Sequence, residues 1–178
     1  TYRQAKMIHW QQLQKIIPIE WVAKKNEVEL SITLKNGSIV ELKGAENPDA
    51  LRGVKLRGLV VDEIASIRNW EWLWSEVLRA TLTDYEAPAL FISTPKGYNH
   101  FWKLFQQDQG NEGKYKSFRF TSYDNPTPGM AERLDKERAR LTEEFFMQEY
   151  LAEFAKFAGL IYTGFDDKVH IRPFEVDE

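Results

Sequence analysis

The stretch Leu59-Val60-Val61-Asp62-Glu63-Ile64-Ala65 decides how this chain is read. A short apolar run ends in two adjacent carboxylates, with small and helix-forming residues after them. Runs of Val, Ile and Leu without polar alternation mark strands of parallel sheets, because helices cover both faces of such strands. Ligands in these sheets bind beyond the carboxyl ends of the strands, where Asp62 and Glu63 fall. Magnesium-nucleotide chemistry needs one carboxylate to hold the hydrated ion and a second to orient or polarise the attacking water. The run supplies both. By itself it also reads as a strand whose acids merely cap the next helix.

Downstream, residues 70–82 place Trp70, Leu73, Trp74, Val77 and Leu78 on one helical stripe facing the core, and leave Trp72 off it. Residues 88–93 read as a second buried strand, running into Thr94-Pro95-Lys96-Gly97. A helix from Asn99 to Gln107 and a polar loop, 108–114, come next, and 116–121 is expected to be a third core strand. Thr127 before Pro128 is the expected start of a long charged helix reaching about Phe157. Upstream, Thr1 suits the N-cap of a first helix with Met7, Trp10, Leu13 and Ile17 on one face and Pro18 as its stop. Residues 28–34 alternate apolar and polar, and Asn36-Gly37 follows, then Ser38-Ile39-Val40-Glu41-Leu42. That pattern predicts a β-hairpin with a primed turn. Strand, helix, strand, helix, strand implies a mostly parallel sheet in a three-layer α/β sandwich, with the hairpin extending or flanking one edge.

The totals bound this reading. The chain has 178 residues, enough for one domain with a real core. With 43% hydrophobic and 29% charged residues it is globular rather than disordered. No run approaches the ~18 apolar residues of a membrane span, and no signal-peptide pattern appears. Without cysteine there is no disulfide framework and no thiolate metal site. A net charge of -3 confines any nucleic-acid contact to a local basic patch. The chain opens on Thr1, directly in helical sequence, and is expected to be part of a longer protein.

Three further features are candidates for the same site. Hydroxyls of Ser93 and Thr94, beyond the second strand, suit a sensor of a terminal phosphate or its attacking water; the plain alternative is a Ser-Thr-Pro turn. Arg52, in the turn-rich loop 44–53, is the residue type preferred for charge developing on a transferred phosphoryl group, and such arginines are often supplied in trans. Its plain alternative is a surface salt bridge. The start of the first helix offers unpaired N–H groups to a phosphate, with Arg3 and Lys6 beside Thr1 to favour a nucleic-acid backbone; an ordinary capped helix explains it equally well.

The order of these pieces is specific. Thr-Tyr-Arg-Gln-Ala-Lys, the Asn-Gly hairpin, Pro-Asp-Ala-Leu-Arg-Gly, Val-Val-Asp-Glu-Ile-Ala and Ile-Ser-Thr-Pro-Lys-Gly occur in sequence. Tyr123-Asp124-Asn125-Pro126 and Gln148-Glu149-Tyr150-Leu151-Ala152-Glu153-Phe154 follow them. Over essentially its whole length the chain resembles the ATPase domain of the large terminase subunit, the DNA-packaging motor of tailed bacteriophages. The resemblance implies a P-loop NTPase fold of RecA-like (ASCE) type, with ATP and Mg2+ as cofactors. It makes Asp62 the Walker B aspartate that helps hold magnesium and Glu63 the catalytic glutamate. Ser93 and Thr94 become the coupling motif, and Arg52 a finger on a neighbouring subunit's ATP. Thr1, Arg3 and Lys6 fall in a segment paralleling a DNA-contacting segment of related helicases. Double-stranded DNA, the portal protein, the small terminase subunit and a homo-oligomeric ring are the implied partners. The implied location is the host cytoplasm, docked on the procapsid.

One departure weighs against a complete enzyme: G-x-x-x-x-G-K-[ST], the phosphate-cradling loop, occurs nowhere in the 178 residues. Residues 1–158 are therefore expected to be the later part of the ATPase domain, and 159–178 a linker toward a nuclease domain. Alone, the chain is expected to be inactive. Other readings are a helicase-like or other RecA-like ATPase, a non-catalytic interaction module that has lost its loop, and a two-metal nuclease in which Asp49 joins Asp62 and Glu63.

Overall fold

The computed structural model describes residues 2–109 and 114–155. They belong to two compact units, Thr1–Leu59 with Glu71–Pro88, and Val60–Trp70 with Ala89–Glu178. The expected linker 159–178 and the helix N-cap Thr1 lie outside the described residues.

The first unit opens with helix α1, in which Tyr2–Gln4, Ala5–Trp10 and Gln11–Ile16 run on continuously. The middle stretch is π-helical, so Ala5 rather than Met7 shares the face of Trp10. Trp10 and Ala5 are buried with Leu30 and Ile32, and Leu13 and Ile17 pack against them. Met7, expected on that face, is 70% exposed. The Trp10 indole N–H donates to Glu27, satisfying the one polar atom taken into the cluster.

Three antiparallel strands cover this helix's apolar side in the order β1 (Val22–Asn26), β2 (Ser31–Leu34), β3 (Ile39–Glu41). The predicted hairpin is β2–β3, paired Ser31 with Glu41, Ile32 with Val40 and Thr33 with Ile39. Its first strand starts three residues late. The Asn26 carboxamide oxygen accepts the N–H groups of Val28 and Glu29, an Asx turn that keeps these residues out of the ladder. The turn also differs from the expected primed form. The Leu34 carbonyl accepts from Gly37 N–H and the Leu34 N–H donates to Ser38, and within the loop only Gly37 is left-handed, at φ 85°. That is a three-residue loop closed by a left-handed glycine. β1 escapes sequence reading because Lys24 and Lys25 face solvent on a sheet edge and break its apolar pattern; lysine there blocks edge-to-edge pairing.

Helix α2 joins Trp70–Leu73, Trp74–Leu78 and Arg79–Thr83. Trp70, Leu73, Val77 and Leu78 of the expected stripe are buried, and Trp72 is exposed as its off-stripe position requires.

Strands β4 (Leu59–Val61) and β5 (Ala89–Phe91) pair with each other. Their bonds ascend together, Leu59 N–H to Pro88, Ile92 N–H to Val61, Ile64 N–H to Ile92, so the pair is parallel. One face packs: Phe91 meets Trp70 edge-on at 5.3 Å. The other, with Val60 and Leu90, is 64% and 51% exposed, so the strands are not buried on both faces as their sequence implies.

Helix α3 (His100–Gln106) takes Asn99 as its N-cap, the Asn99 Oδ1 accepting from Phe101 N–H. Residues 116–121 form no strand. Arg119 ties them instead, donating to the Leu151 carbonyl and to Glu153, while the Ser117 hydroxyl donates to the Phe105 carbonyl. Side-chain bonds thus replace ladder bonds, and Phe118 and Phe120 stay exposed. The single long helix expected from residue 128 is two: α4 (Met130–Arg138) and α5 (Glu143–Leu151). Thr142 explains the break. Its hydroxyl accepts from Phe145 N–H, and Glu143 and Glu144 place negative charge in the first turn, a complete start signal inside the charged run. At the other end Gly129, at φ 72°, is the N-cap in place of Thr127.

Gly37 tests this account of the hairpin. A Cβ there meets no atom within 4 Å, so Gly37→Ala costs only its left-handed backbone, about 1 kcal/mol. Gly58→Ala, equally open but without a positive φ, is expected to raise the urea midpoint, stabilising the fold by about 0.4–1 kcal/mol through the unfolded chain.

Candidate active site

β4 ends at Val61, so Asp62 and Glu63 are the first residues beyond the strand. Asp62 Oδ1 accepts the Glu63 N–H at 2.9 Å. Glu63 is left-handed, φ 54° and ψ 35°, and leads into the tight turn Ile64–Ser66. A non-glycine residue in that conformation costs about 1–2 kcal/mol, which the neighbouring bonds must offset. Ile64 and Ala65, behind Glu63, are buried; both carboxylate residues are exposed.

They open onto a cleft of about 670 Å³ that is also lined by Ser93 and Thr94. Ser93 Oγ accepts the Ala65 N–H at 3.2 Å and donates to the Thr94 carbonyl at 2.9 Å. Lys96 Nζ donates to Ser66 Oγ at 2.7 Å, and Ser66 Oγ lies 3.5 Å from Glu63 Oε2. Four of the residues singled out in the sequence therefore share one cleft: Asp62, Glu63, Ser93 and Thr94.

Arg52 belongs to the other compact unit and is described there. It follows the short turn Pro48–Leu51. Its Nε donates to Asp49 at 2.9 Å and its Nη1 to the Glu76 carbonyl at 3.3 Å, and the guanidinium lies 5.5 Å from the Trp72 ring centre. So Asp49, the third carboxylate of a two-metal reading, is bound to Arg52, and the exposed Trp72 is a platform for the same guanidinium. Arg3 and Lys6 are exposed on α1. The start of that helix already holds an anion: Glu46 Oε1 accepts the Tyr2 N–H at 2.6 Å, and this bond holds the Glu46 carboxyl below its usual range. Gly44 permits the approach, since a Cβ there would stand 2.0 Å from the Glu46 carboxylate.

Sequence reasoning assigned no role to the far wall of the cleft, which comprises Thr121 to Pro126 without Tyr123, and Glu149, Tyr150 and Ala152 near the end of α5. The signal was present in Thr121-x-x-Asp124, a capping-box spacing. Asp124 Oδ2 accepts from both the N–H and the hydroxyl of Thr121, and these bonds, the backbone one first, hold its carboxyl below the usual carboxylate range. The adjacent Tyr123 hydroxyl donates to Asp135 at 2.7 Å and is pushed up by that bond.

Oxygen donors dominate the near wall, and they suit magnesium, which takes one or two carboxylates and completes its shell with water and substrate phosphates. Among the described residues no three His, Cys, Asp or Glu side chains converge into an all-protein cage. The donor set fits a magnesium ion brought with a nucleotide.

Residues 1–168 match the family described as "Terminase large subunit, T4likevirus-type, N-terminal". The chain belongs to this family. It is similar to the terminase large subunit of Thermus phage G20c, at 29% identity over 98% of this chain and 42% of the relative. The large subunit of Escherichia phage T5 is likewise 29% identical, over 93% of this chain and 38% of its own length. The terminase chain thus spans about two-fifths of the length of these relatives. Its fold matches the solved ATPase domain of the Thermus phage P74-26 large terminase at a TM-score of 0.67 and 26% identity, covering 87% of this chain and 74% of that one. A point mutant of the same domain matches at 0.66. The α/β class with parallel strands, the P-loop type of fold and the family expected from the sequence are all borne out.

Asp124 makes the far wall of this terminase cleft sensitive to acid. Its folded pKa lies below the unfolded value near 3.9, so its bonds to Thr121 stabilise the turn fully above that pH and are lost as pH falls through the depressed value. Amide resonances of Thr121 to Asn125 are expected to shift below about pH 4, and Asp124→Asn to remove that acid step.

Proposed function

We propose that these residues form the hydrolytic half of an ATPase site in a terminase large subunit, whose ATP turnover drives double-stranded DNA into a procapsid. The convergence of Asp62, Glu63, Ser93 and Thr94 on one cleft supports this reading above all. Asp62 would hold the hydrated magnesium, which when bound would supply positive charge against that developing on the phosphates. Glu63 accepts a hydrogen bond from the attacking water and orients it toward the γ-phosphate. Ser93, bonded to the turn behind Glu63, senses the terminal phosphate and passes its loss into the backbone; Thr94 lines the cleft next to it. Arg52 acts on the ATP of a neighbouring subunit, with Asp49 and Trp72 holding it at the loop end. Arg3 and Lys6, with Thr1, contact the DNA backbone.

The proposal extends to the whole protein. The phosphate-cradling loop, absent from these 178 residues, is required for activity, and the chain alone is expected to hydrolyse ATP negligibly. Residues 1–158 serve the motor and 159–178 lead toward a nuclease domain. The motor works as a homo-oligomeric ring with the portal protein and the small terminase subunit, in the host cytoplasm at the procapsid. No helix of the described residues is long and apolar enough to cross a membrane.

The test uses a polypeptide joining these residues to a phosphate-binding loop. Glu63→Gln is expected to keep nucleotide affinity and lose at least about 100-fold in turnover; activity within a few fold of the parent contradicts the assignment. Arg52→Ala is expected to lose about 10³–10⁵ in rate with ATP affinity intact. Mixed with a variant lacking the loop lysine it should regain activity, because mixed rings contain interfaces with both parts whole. No recovery at any ratio, with assembly confirmed, means that Arg52 does not act across subunits.

A further inference from the structure

The turn that presents Glu63 is buried just behind the carboxylate: Ile64 is 0% and Ala65 8% exposed. Buried backbone groups need partners, and a turn this short supplies few of its own. Here they come from one downstream segment. The Ala65 N–H donates to Ser93 Oγ, and the Ala65 carbonyl accepts from Asn99 Nδ2 at 3.1 Å. The Ile64 carbonyl accepts from His100 Nε2 at 2.7 Å, and the His100 ring is stacked on Trp70 at 5.9 Å.

Asn99 is the unusual member of this set, because both ends of its planar amide are in use. Nδ2 grips the turn, while Oδ1 accepts the Phe101 N–H at 2.9 Å and starts α3. One rigid group therefore spans the Glu63 turn and a helix end, and the strained left-handed Glu63 sits on the side it braces.

We infer that Asn99 is a positioning residue for Glu63: its amide fixes the turn that aims the carboxylate into the cleft, and ties that turn to the segment that starts at Ser93. The inference rests on reading Glu63 as the residue that orients the hydrolytic water. Asn99 touches no reacting atom and acts through the Ala65 carbonyl. Relaxing that carbonyl lets the left-handed turn unwind and swings the carboxylate off the water, without altering how nucleotide is held.

The two ends of the amide can be separated by substitution. Asn99→Ser and Asn99→Asp both keep an oxygen to cap Phe101; the Ser hydroxyl ends one bond short of the amide nitrogen that reaches the Ala65 carbonyl, and the Asp carboxylate only accepts and sets an oxygen against that carbonyl. Both are compared with the parent in the polypeptide that includes a phosphate-binding loop. Hydrogen exchange of the Ala65, Ser66 and Ile67 amides is expected to quicken about ten-fold, the size of one lost hydrogen bond, while the α3 amides keep their protection. The kcat of Asn99→Ser is expected to fall about ten-fold with KM and ATP affinity unchanged, and that of Asn99→Asp further.

Wild-type exchange and kcat in Asn99→Ser overturn the inference. So does equal loss of protection in α3 and in the turn, which makes Asn99 only a helix cap. Glu63→Gln, measured alongside, separates the two ideas. Turnover that survives this substitution overturns the role of Glu63. Turnover lost there but kept in both Asn99 variants overturns the role of Asn99 alone.

Discussion

The left-handed conformation of Glu63 is the constraint on which the site depends. A strand that ended without it would carry Asp62 and Glu63 to opposite sides, since successive side chains of extended chain alternate. The reversal at Glu63 lets both line one cleft, and its cost is met locally. Asp62 accepts the Glu63 N–H, Ile64 continues the ladder to Ile92, and the Ala65 N–H and carbonyl bond Ser93 and Asn99. Every one of these partners lies at or beyond a strand end, so the parallel pairing of β4 and β5 is what brings them within reach.

Ser93 lines the cleft and accepts a hydrogen bond from the turn behind Glu63, the contact through which the proposed coupling would run. Exposed ion pairs contribute far less. Arg138 with Glu143 and Arg140 with Glu137 are solvent-facing pairs of the sort worth about 0–1 kcal/mol. The pair Arg52–Asp49 is equally exposed, and its interest lies in fixing a guanidinium rather than in stability.

Much of this was legible in the sequence, for identifiable reasons. The strand end at Asp62, the stripe of α2 and the Asn36-Gly37 hairpin each rest on short-range pattern, and short-range pattern determines them. Misreadings arose where side chains compete with the backbone. Asn26 drew residues 28–29 out of a strand, Thr142 cut one helix into two, and Arg119 with Ser117 held 116–121 without a ladder. The π turn that exposes Met7 has no counterpart in a 3.6-residue period. In the candidate site the near wall could be read from residue types alone. The far wall required knowing that Thr121-x-x-Asp124 and the end of α5 meet the same cleft, a long-range fact that no local pattern encodes.

The central claim is that Asp62, Glu63 and Ser93 surround a metal-bound nucleotide. Paramagnetic broadening by Mn2+–ADP tests it most directly, using a polypeptide that unites these residues with a phosphate-binding loop. The account predicts that the amide resonances of Asp62, Glu63, Ser93 and Thr94 broaden first and recover when Mg2+ displaces Mn2+. Bound Mn2+–ADP that leaves these four sharp while broadening others would contradict it.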